Sequence, residues 1–275
     1  MEDKTRLGRG LDEVSQLYLT GGRRDEPEGQ IAAIKAHPAR MPVKVYHPGS
    51  CLMQSFFLTN FALELARNRS SVFVWDCLGR HEAGIRALMK SIIPADKDAG
   101  TATASLYGLP DIVICNGSAL SSEALAEIMT KIHSLEDEGF LLVNTPESLT
   151  AVMNDDIRAD CILMSRTEEK ALLQCYAYIK VIHKNGSAGD ISLILDDSDG
   201  EVEAEALFIR FARFVEEKLK YSLHYLGALH HDEYLDQSIE ESRPLMLFQE
   251  HSETKEDIAS ISREYLHRRQ SRKGG

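Results

Sequence analysis

Residues Val43 to Arg80, which read VKVYHPGSCLMQSFFLTNFALELARNRSSVFVWDCLGR, decide the fold that we expect for this chain. A short β-branched and aromatic run is broken by His47-Pro48-Gly49, and Ser50 then offers a hydroxyl to the first turn of a helix. Apolar residues at helical spacing continue to Ala66, and a second buried-strand pattern ends on Asp76. The stretch therefore predicts a strand, a helix and a parallel strand, the opening unit of an open α/β sheet.

The same alternation of strand and helix patterns continues along the rest of the chain. Strands are predicted at 111–115, 139–144, 160–165, 191–197 and 222–227, helices at 79–90, 123–135, 168–183, 203–219 and 254–267, and an irregular stretch at 92–107. This order favours an α/β fold with a doubly wound, mostly parallel sheet and helices on both faces. We assign it to one domain, residues 41–270, preceded by a flexible N-terminal extension, residues 1–40.

Composition limits the classes of function that remain open. The net charge of −12 over 275 residues disfavours nonspecific binding to nucleic acids, and no apolar run reaches the roughly 20 residues of a membrane span. None of the five cysteines forms a Cys-x-x-Cys pair, and the charged start of the chain lacks a signal-peptide pattern. We expect a cytoplasmic protein with reduced, buried thiols, no metal site and at most weak contact with membranes.

Five short motifs occur in the order in which one family of nucleotide-binding proteins carries them. They are NFALELA at 60–66, GFLLVNTP at 139–146, EEKALLQCYAYIK at 168–180, LHYLGALHHD at 223–232 and SIEESRPL at 238–245. Over residues 43–250 the chain resembles the MinD/ParA family of deviant P-loop ATPases, and within it the branch of MinD and the flagellar-number regulators. The resemblance implies a P-loop NTPase fold whose phosphate loop would fall at Gly49 to Ser55, with ATP and magnesium as the ligands of the family.

The phosphate loop implied by this resemblance lacks the charges that bind phosphate. Gly49 stands where the family has its signature lysine, Gln54 stands where it has the phosphate-binding lysine, and Ser55 alone keeps its type. A glutamine amide donates a hydrogen bond but carries no charge to offset the negative charge of a phosphate. The loop is therefore expected to be a degenerate Walker motif.

Two carboxylates of the family's reaction are also missing. After the strand that ends at Asp76, Leu78 stands where the family places a water-orienting aspartate, and Asn144 replaces the switch aspartate that helps to organise magnesium. Phosphoryl transfer relies on charges at these places, so the combined losses argue against metal-assisted hydrolysis of ATP. We expect no catalytic residues, no metal and no bound cofactor. A deviant ATP-binding member of the family that itself acts as a spatial switch is the alternative.

Three other groups of reactive side chains have simpler interpretations. Adjacent histidines diverge on an extended segment, so His230-His231-Asp232 is interpreted as a surface turn rather than a metal site. The acidic stretch Asp196-Asp197-Ser198-Asp199 lacks the spacing of a calcium loop and is interpreted as a solvated turn. Cys51 lies near a helix amino end without an assignable histidine partner, and it is interpreted as a buried structural thiol.

The N-terminal extension carries a second resemblance. It contains the run Arg6-Leu7-Gly8-Arg9-Gly10-Leu11, which resembles the amino-terminal peptide of ParB-type proteins. In that family the peptide contacts a ParA-type ATPase and stimulates its hydrolysis. Apolar residues then recur at helical spacing, namely Leu11, Val14, Leu17 and Tyr18. Because so short a helix is marginal alone, we expect it to dock on its own domain or on a partner.

We therefore expect a catalytically inactive MinD/ParA-like protein that binds a cognate ParA/MinD-type ATPase and stimulates or positions it, as a homodimer or heterodimer without direct nucleic-acid contact. The process would be the placement of a chromosome, flagellum, pilus or other polar cargo, with recruitment to a pole or the nucleoid by the partner. A nucleotide-independent dimeric scaffold is a further alternative. Near the chain end, the apolar Ile258, Ile261, Tyr265 and Leu266 are expected to cover the core.

Overall fold

The structure is a computed structural model. It describes residues 41–68, 70–78, 84–90, 92–93, 101–104, 112–117, 120–133, 139–146, 157–186, 188–196, 200–248 and 251–273. The partner peptide and short helix expected in residues 1–40 lie outside the described residues.

Strands and helices alternate along the described chain. The strands are β1 (Val43–Tyr46), β2 (Ser71–Asp76), β3 (Thr101–Ala104), β4 (Ile112–Asn116), β5 (Gly139–Asn144), β6 (Ala159–Arg166), β7 (Ala188–Asp196) and β8 (His224–Leu229). The helices are α1 (Cys51–Arg67), α2 (Ile85–Leu88), α3 (Ser122–His133), α4 (Glu169–Asn185), α5 (Glu201–Leu219), α6 (Glu233–Glu240) and α7 (Glu253–Lys273), with a 3₁₀ turn at Leu245–Leu247. The strand–helix–strand unit predicted at the start of the domain is confirmed.

The strands form one sheet in the order β3-β4-β2-β5-β1-β6-β7-β8. All neighbouring pairs run parallel except β3 and β4, which run antiparallel at one edge. In the centre, Val45 of β1 lies opposite Asn144 of β5 on one side and Ile162 of β6 on the other. The carboxyl ends of the parallel strands therefore meet at one edge, which is where ligands bind in open α/β sheets.

Helices cover both faces of the sheet, as predicted. On one face, α1 and α7 pack over alternate strand residues, and Phe61, Phe140 and Tyr265 form part of this core. On the other face, α4 and α5 cover the intervening residues with side chains such as Ile179 and Phe211. The alternation follows from the strand period of two, which sends successive side chains to opposite faces.

Three predicted elements differ from the structure. The helix predicted at 79–90 is a single turn, Ile85–Leu88, in the part that the structure describes, and the late strand lies at His224–Leu229 rather than 222–227. The stretch 92–107 was predicted to be irregular, but its residues Thr101–Ala104 form β3. The sequence TATA contains no large apolar residue, so its pairing with β4 decides its structure.

The final helix is longer than the predicted 254–267, and its apolar side covers the core as expected. Ile258, Ile261 and Tyr265 are buried. Beyond them, the guanidinium of Arg269 lies 4.3 Å from the ring centroid of Phe140. The last turns are held by Arg272, which forms ion pairs with Asp160 and Asp190. Among the described residues, no helix combines the length and the apolar character needed to cross a bilayer.

Candidate functional site

The connection between β1 and α1 is a tight turn. The strand ends at Tyr46 and the helix begins at Cys51. Within the turn, the amides of Gly49 and Ser50 donate to the carbonyl oxygen of His47, at 2.7 and 3.3 Å. The Ser50 hydroxyl accepts from the amide of Met53, which confirms the predicted N-cap. A phosphate loop needs several backbone amides that converge on one point, and in this turn they bond to the chain itself.

The side chain of Gln54 fills the position beneath this turn. It is completely buried. Its oxygen accepts a 2.8 Å hydrogen bond from the amide of His47, and its nitrogen donates to the Asn144 side-chain oxygen at 2.8 Å and to the Thr145 carbonyl at 2.7 Å. Through these bonds the Gln54 side chain, which the resemblance aligns with a phosphate-binding lysine, holds β1 and β5 to α1.

Asn144 extends the network across the sheet. Its side-chain nitrogen donates to the Ser55 hydroxyl at 2.9 Å and to an Asp76 carboxylate oxygen at 2.8 Å. Asp76 also accepts from the amides of Leu78 and Ile85, at 3.1 and 3.0 Å. Through these bonds, the carboxyl ends of β2 and β5 are fixed to α1 and α2.

The structure brings together four of the six residues that the resemblance placed at the degenerate nucleotide site. Gln54, Ser55, Asp76 and Asn144 are fully buried and linked by hydrogen bonds; we call this set the polar network. Gly49 is exposed at the surface of the turn, and Leu78 contributes its backbone amide alone.

The four side chains of the polar network are two amides, one hydroxyl and one carboxylate. The Gln54 amide carries no positive charge that could offset the negative charge of a phosphate at this place. The nearby Lys44, also on β1, donates instead to the carbonyl oxygen of Ile157 at 2.5 Å. The polar network stabilises the junction of the strands, and none of its four side chains is positively charged.

A second buried cluster lies beside the polar network, and the sequence interpretation missed it. Asp196, at the end of β7, accepts from His47 Nε2 at 3.0 Å and from His231 Nε2 at 2.6 Å. Asp196 is completely buried, so its interpretation as part of a solvated turn is wrong. Burial alone would raise the pKa of this carboxyl, but the hydrogen bonds from His231 and His47 outweigh burial and lower the pKa to about 2.

The adjacent histidines diverge, as predicted. His231 contacts Asp196, while both the amide and the ring of His230 contact Asp257 at 2.8 Å. Asp232 caps α6 by accepting from the amides of Tyr234 and Leu235. Among the described residues, no three His, Cys, Asp or Glu side chains are arranged to hold a metal ion.

All five cysteines are free, but they are less buried than the sequence interpretation expected. Cys161 and Cys175 lie in the core, whereas Cys51, Cys77 and Cys115 are partly exposed. Cys51, interpreted as a buried structural thiol, is therefore only partly covered.

An open cleft of about 490 Å³ borders the turn on the side of α4. Its lining includes Ser50, Arg166, Glu168 and Lys170. The two cations give this edge of the sheet a positive character that the polar network lacks.

Comparisons with known proteins identify the fold. No family model matches the sequence, and no curated protein does. Among solved structures, MinD from the MinC:MinD complex of Aquifex aeolicus matches with a TM-score of 0.59 and 14% identity over 82% of this chain and 96% of that one. The chain has the fold of the MinD and ParA ATPases. MinD of Pyrococcus furiosus matches with a TM-score of 0.56 and 12% identity over 82% of this chain and 98% of that one. A ParA family ATPase of Chlorobium tepidum matches with a TM-score of 0.55 and 10% identity over 81% of this chain and 98% of that one.

The MinD/ParA-like fold accounts for the position of the polar network at the carboxyl end of β1. Identities of 10 to 14% carry the fold and no activity.

Proposed function

We propose that this chain is a catalytically inactive MinD/ParA-like regulator, which binds a cognate ParA/MinD-type ATPase through Arg6 to Leu11 and stimulates or positions it. The observation that carries the proposal is the Gln54 side chain. By the resemblance this residue corresponds to the phosphate-binding lysine, and its side chain is hydrogen-bonded to His47, Asn144 and Thr145.

Physical chemistry supports inactivity at this site. ATP hydrolysis in P-loop proteins depends on positive charge at the phosphates and on carboxylates that hold magnesium and water. The polar network supplies neither positive charge nor a second carboxylate. It also needs no ligand to be complete, because its donors and acceptors bond to one another.

The role of the N-terminal peptide rests on its resemblance to the ParB-type peptide, and Arg9 is its second basic residue. One of the similar structures is a MinC:MinD cell division protein complex, so a protein of this fold assembles with a different protein. The net charge of −12 argues against direct nonspecific contact with nucleic acid. We propose a homodimer or heterodimer that the partner recruits to a pole or the nucleoid, in the placement of a polar or chromosomal cargo.

The peptide is tested by adding the purified chain to ParA/MinD-type ATPases from the same organism. We expect the wild-type chain to raise phosphate release by one of them, and Arg9→Ala to remove at least about four fifths of the increase, since a single arginine supplies much of the charge at such sites. Arg23→Ala is the matched control, because it removes an arginine outside the peptide. Absence of stimulation by the wild type, or equal stimulation by Arg9→Ala, contradicts the proposal.

Nucleotide binding is tested by calorimetry with Mg-ATP. We expect no saturable heat at ligand concentrations up to about 1 mM, because the polar network offers the phosphates no cation. The alternative, an ATP-binding spatial switch, is favoured by Arg166 and Lys170 in the neighbouring cleft. Tight binding that Ser55→Ala abolishes would establish that alternative and overturn ours. A nucleotide-independent scaffold would give neither binding nor stimulation.

A further inference from the structure

The outer edge of β8 forms one wall of an acidic groove. β8 is the last strand of the sheet, and none of the described strands pairs with its free edge. The groove has a volume of about 400 Å³ between the first turns of α5 and the middle of α7. Four carboxylates and one guanidinium line it, namely those of Glu201, Glu205, Asp257, Glu264 and Arg268.

Negative charge is concentrated in this groove. Tyr225, on its floor, donates to Glu201 at 2.9 Å. Burial raises the pKa of Asp257, the bonds from His230 oppose this, and the charge of Glu201 adds to the increase. The single guanidinium, that of Arg268, is 2.6 Å from Glu264 on the same helix. An excess of negative charge therefore faces any segment that enters the groove.

An exposed apolar stripe on α5 adjoins the groove. Val202 and Ile209, 76% and 42% exposed, are the large hydrophobic side chains that stand out from the surface among the described residues. Ala206 lies exposed between them, so that the three residues share one helix face at the spacing i, i+4 and i+7. The stripe runs along the outer wall of the groove. Its first two residues, Val202 and Ala206, directly follow Glu201 and Glu205, which line the groove.

We propose that the chain's own N-terminal segment, residues 4–19, docks on this surface. The segment has the complementary pattern: Lys4, Arg6 and Arg9 come first, and the apolar series that starts at Leu11 follows. The basic part enters the acidic groove, and the apolar part covers the stripe on α5. A segment with a basic part followed by an apolar part is complementary to a surface on which an acidic groove adjoins an apolar stripe.

The connecting chain is long enough for this docking. Met41, the first described residue, lies against Gly189 near the start of β7, the neighbour of β8. Residues 20–40 would span roughly 25 Å as a flexible coil and about 70 Å when extended. β7 itself is about 30 Å long, so the connecting chain can reach along the whole strand. Tethering at this distance gives the segment an effective concentration of about a millimolar, so weak contacts suffice to hold it.

The docking goes beyond the proposed function and does not depend on it. It engages Arg6 and Arg9, the basic residues of the peptide, in the chain's own groove. A partner ATPase then competes with the groove for the peptide, so the surface sets how much peptide is available.

The experiment uses the full chain with the photoreactive residue p-benzoylphenylalanine introduced at Val202, where a highly exposed side chain is replaced. Irradiation without any partner protein is expected to give a crosslink within one chain to residues 1–20, located by mass spectrometry. The same label at Ala126, an exposed residue of α3, is the control. Because α3 packs on β2 and β5, away from β8, no crosslink to residues 1–20 is expected there.

Charge reversal tests the groove itself. Arg6→Glu with Arg9→Glu is expected to lower the crosslink yield at least about fivefold, since two attractions become repulsions. Arg23→Glu with Arg24→Glu is the matched control and should stay within about twofold. No crosslink to residues 1–20, a yield unaffected by reversal at Arg6 and Arg9, or a crosslink between two chains that rises with concentration each overturns the proposal. Because no ATPase is present, these outcomes are independent of whether the peptide stimulates a partner.

Discussion

Gln54→Leu is expected to destabilise the fold by at least about 3 kcal/mol. Leucine fills a similar space, but it leaves the His47 amide, the Asn144 side-chain oxygen and the Thr145 carbonyl without their present partner in a completely buried site. Each buried polar group left unsatisfied costs about 1–3 kcal/mol. In a domain of this size the loss corresponds to a decrease of about 10 °C in the melting temperature.

Urea denaturation and thermal unfolding measure this effect, with Gln237→Leu as the matched control. Gln237 is exposed on α6 and bonds to Glu241 at the surface, so the same substitution there is expected to change stability by less than about 0.5 kcal/mol. If the two variants lost equal stability, the Gln54 network would not be what holds the strand ends together.

Asp196 provides the second large effect, which depends on pH. Its pKa is about 2 in the folded protein against an ordinary value of 3.8. Because the folded pKa is the lower one, its stabilisation is complete above about pH 4 and is lost as the pH falls toward 2. The lower folded pKa corresponds to a stabilisation of about 2 kcal/mol, with no discount for solvent screening because the side chain is buried.

Asp196→Asn is expected to lose about 3 kcal/mol at pH 7, because His47 and His231 lose the buried negative charge between them. The variant should also lose about 1 kcal/mol less than the wild type between pH 4 and pH 2.5. Urea unfolding at these three pH values measures both effects. Asp236→Asn, at an exposed position on α6, is the control and should follow the wild type. Parallel pH profiles for wild type and Asp196→Asn would contradict the assignment.

The sequence was most informative where local patterns decide the structure. The cap at Ser50, the helix after it and the strand that ends on Asp76 were all predicted from residue types and spacing, and all occur. The N-cap hydroxyl and the apolar stripe act within a few residues of one another, so they can be recognised without the fold. β3 could not, because its four residues gain their structure from pairing with β4.

The candidate site was predictable in position but not in its bonding. The resemblance placed Gln54, Ser55, Asp76 and Asn144 at one edge of the sheet, and the structure brings them together. The Gln54 side chain points inward and bonds three groups because the turn above it is short. The spacing of residues in the sequence does not reveal the shape of that turn.

Asp196 was missed because its acidic neighbours suggested exposure to solvent. A usable signal was present, since Asp196 ends one buried apolar strand and His47 follows another. Parallel strands in an open sheet bring such ends together.

The position of α7 has a consequence for synthesis of the protein on the ribosome. Tyr265 packs its ring 5.6 Å from that of Phe61, although the two residues are far apart in the sequence. The nascent chain therefore carries an uncovered aromatic surface on α1 and β5 until residues 253–273 have emerged. Such a surface invites aggregation and recruits chaperones, and the last helix to be made is the one that ends this exposure.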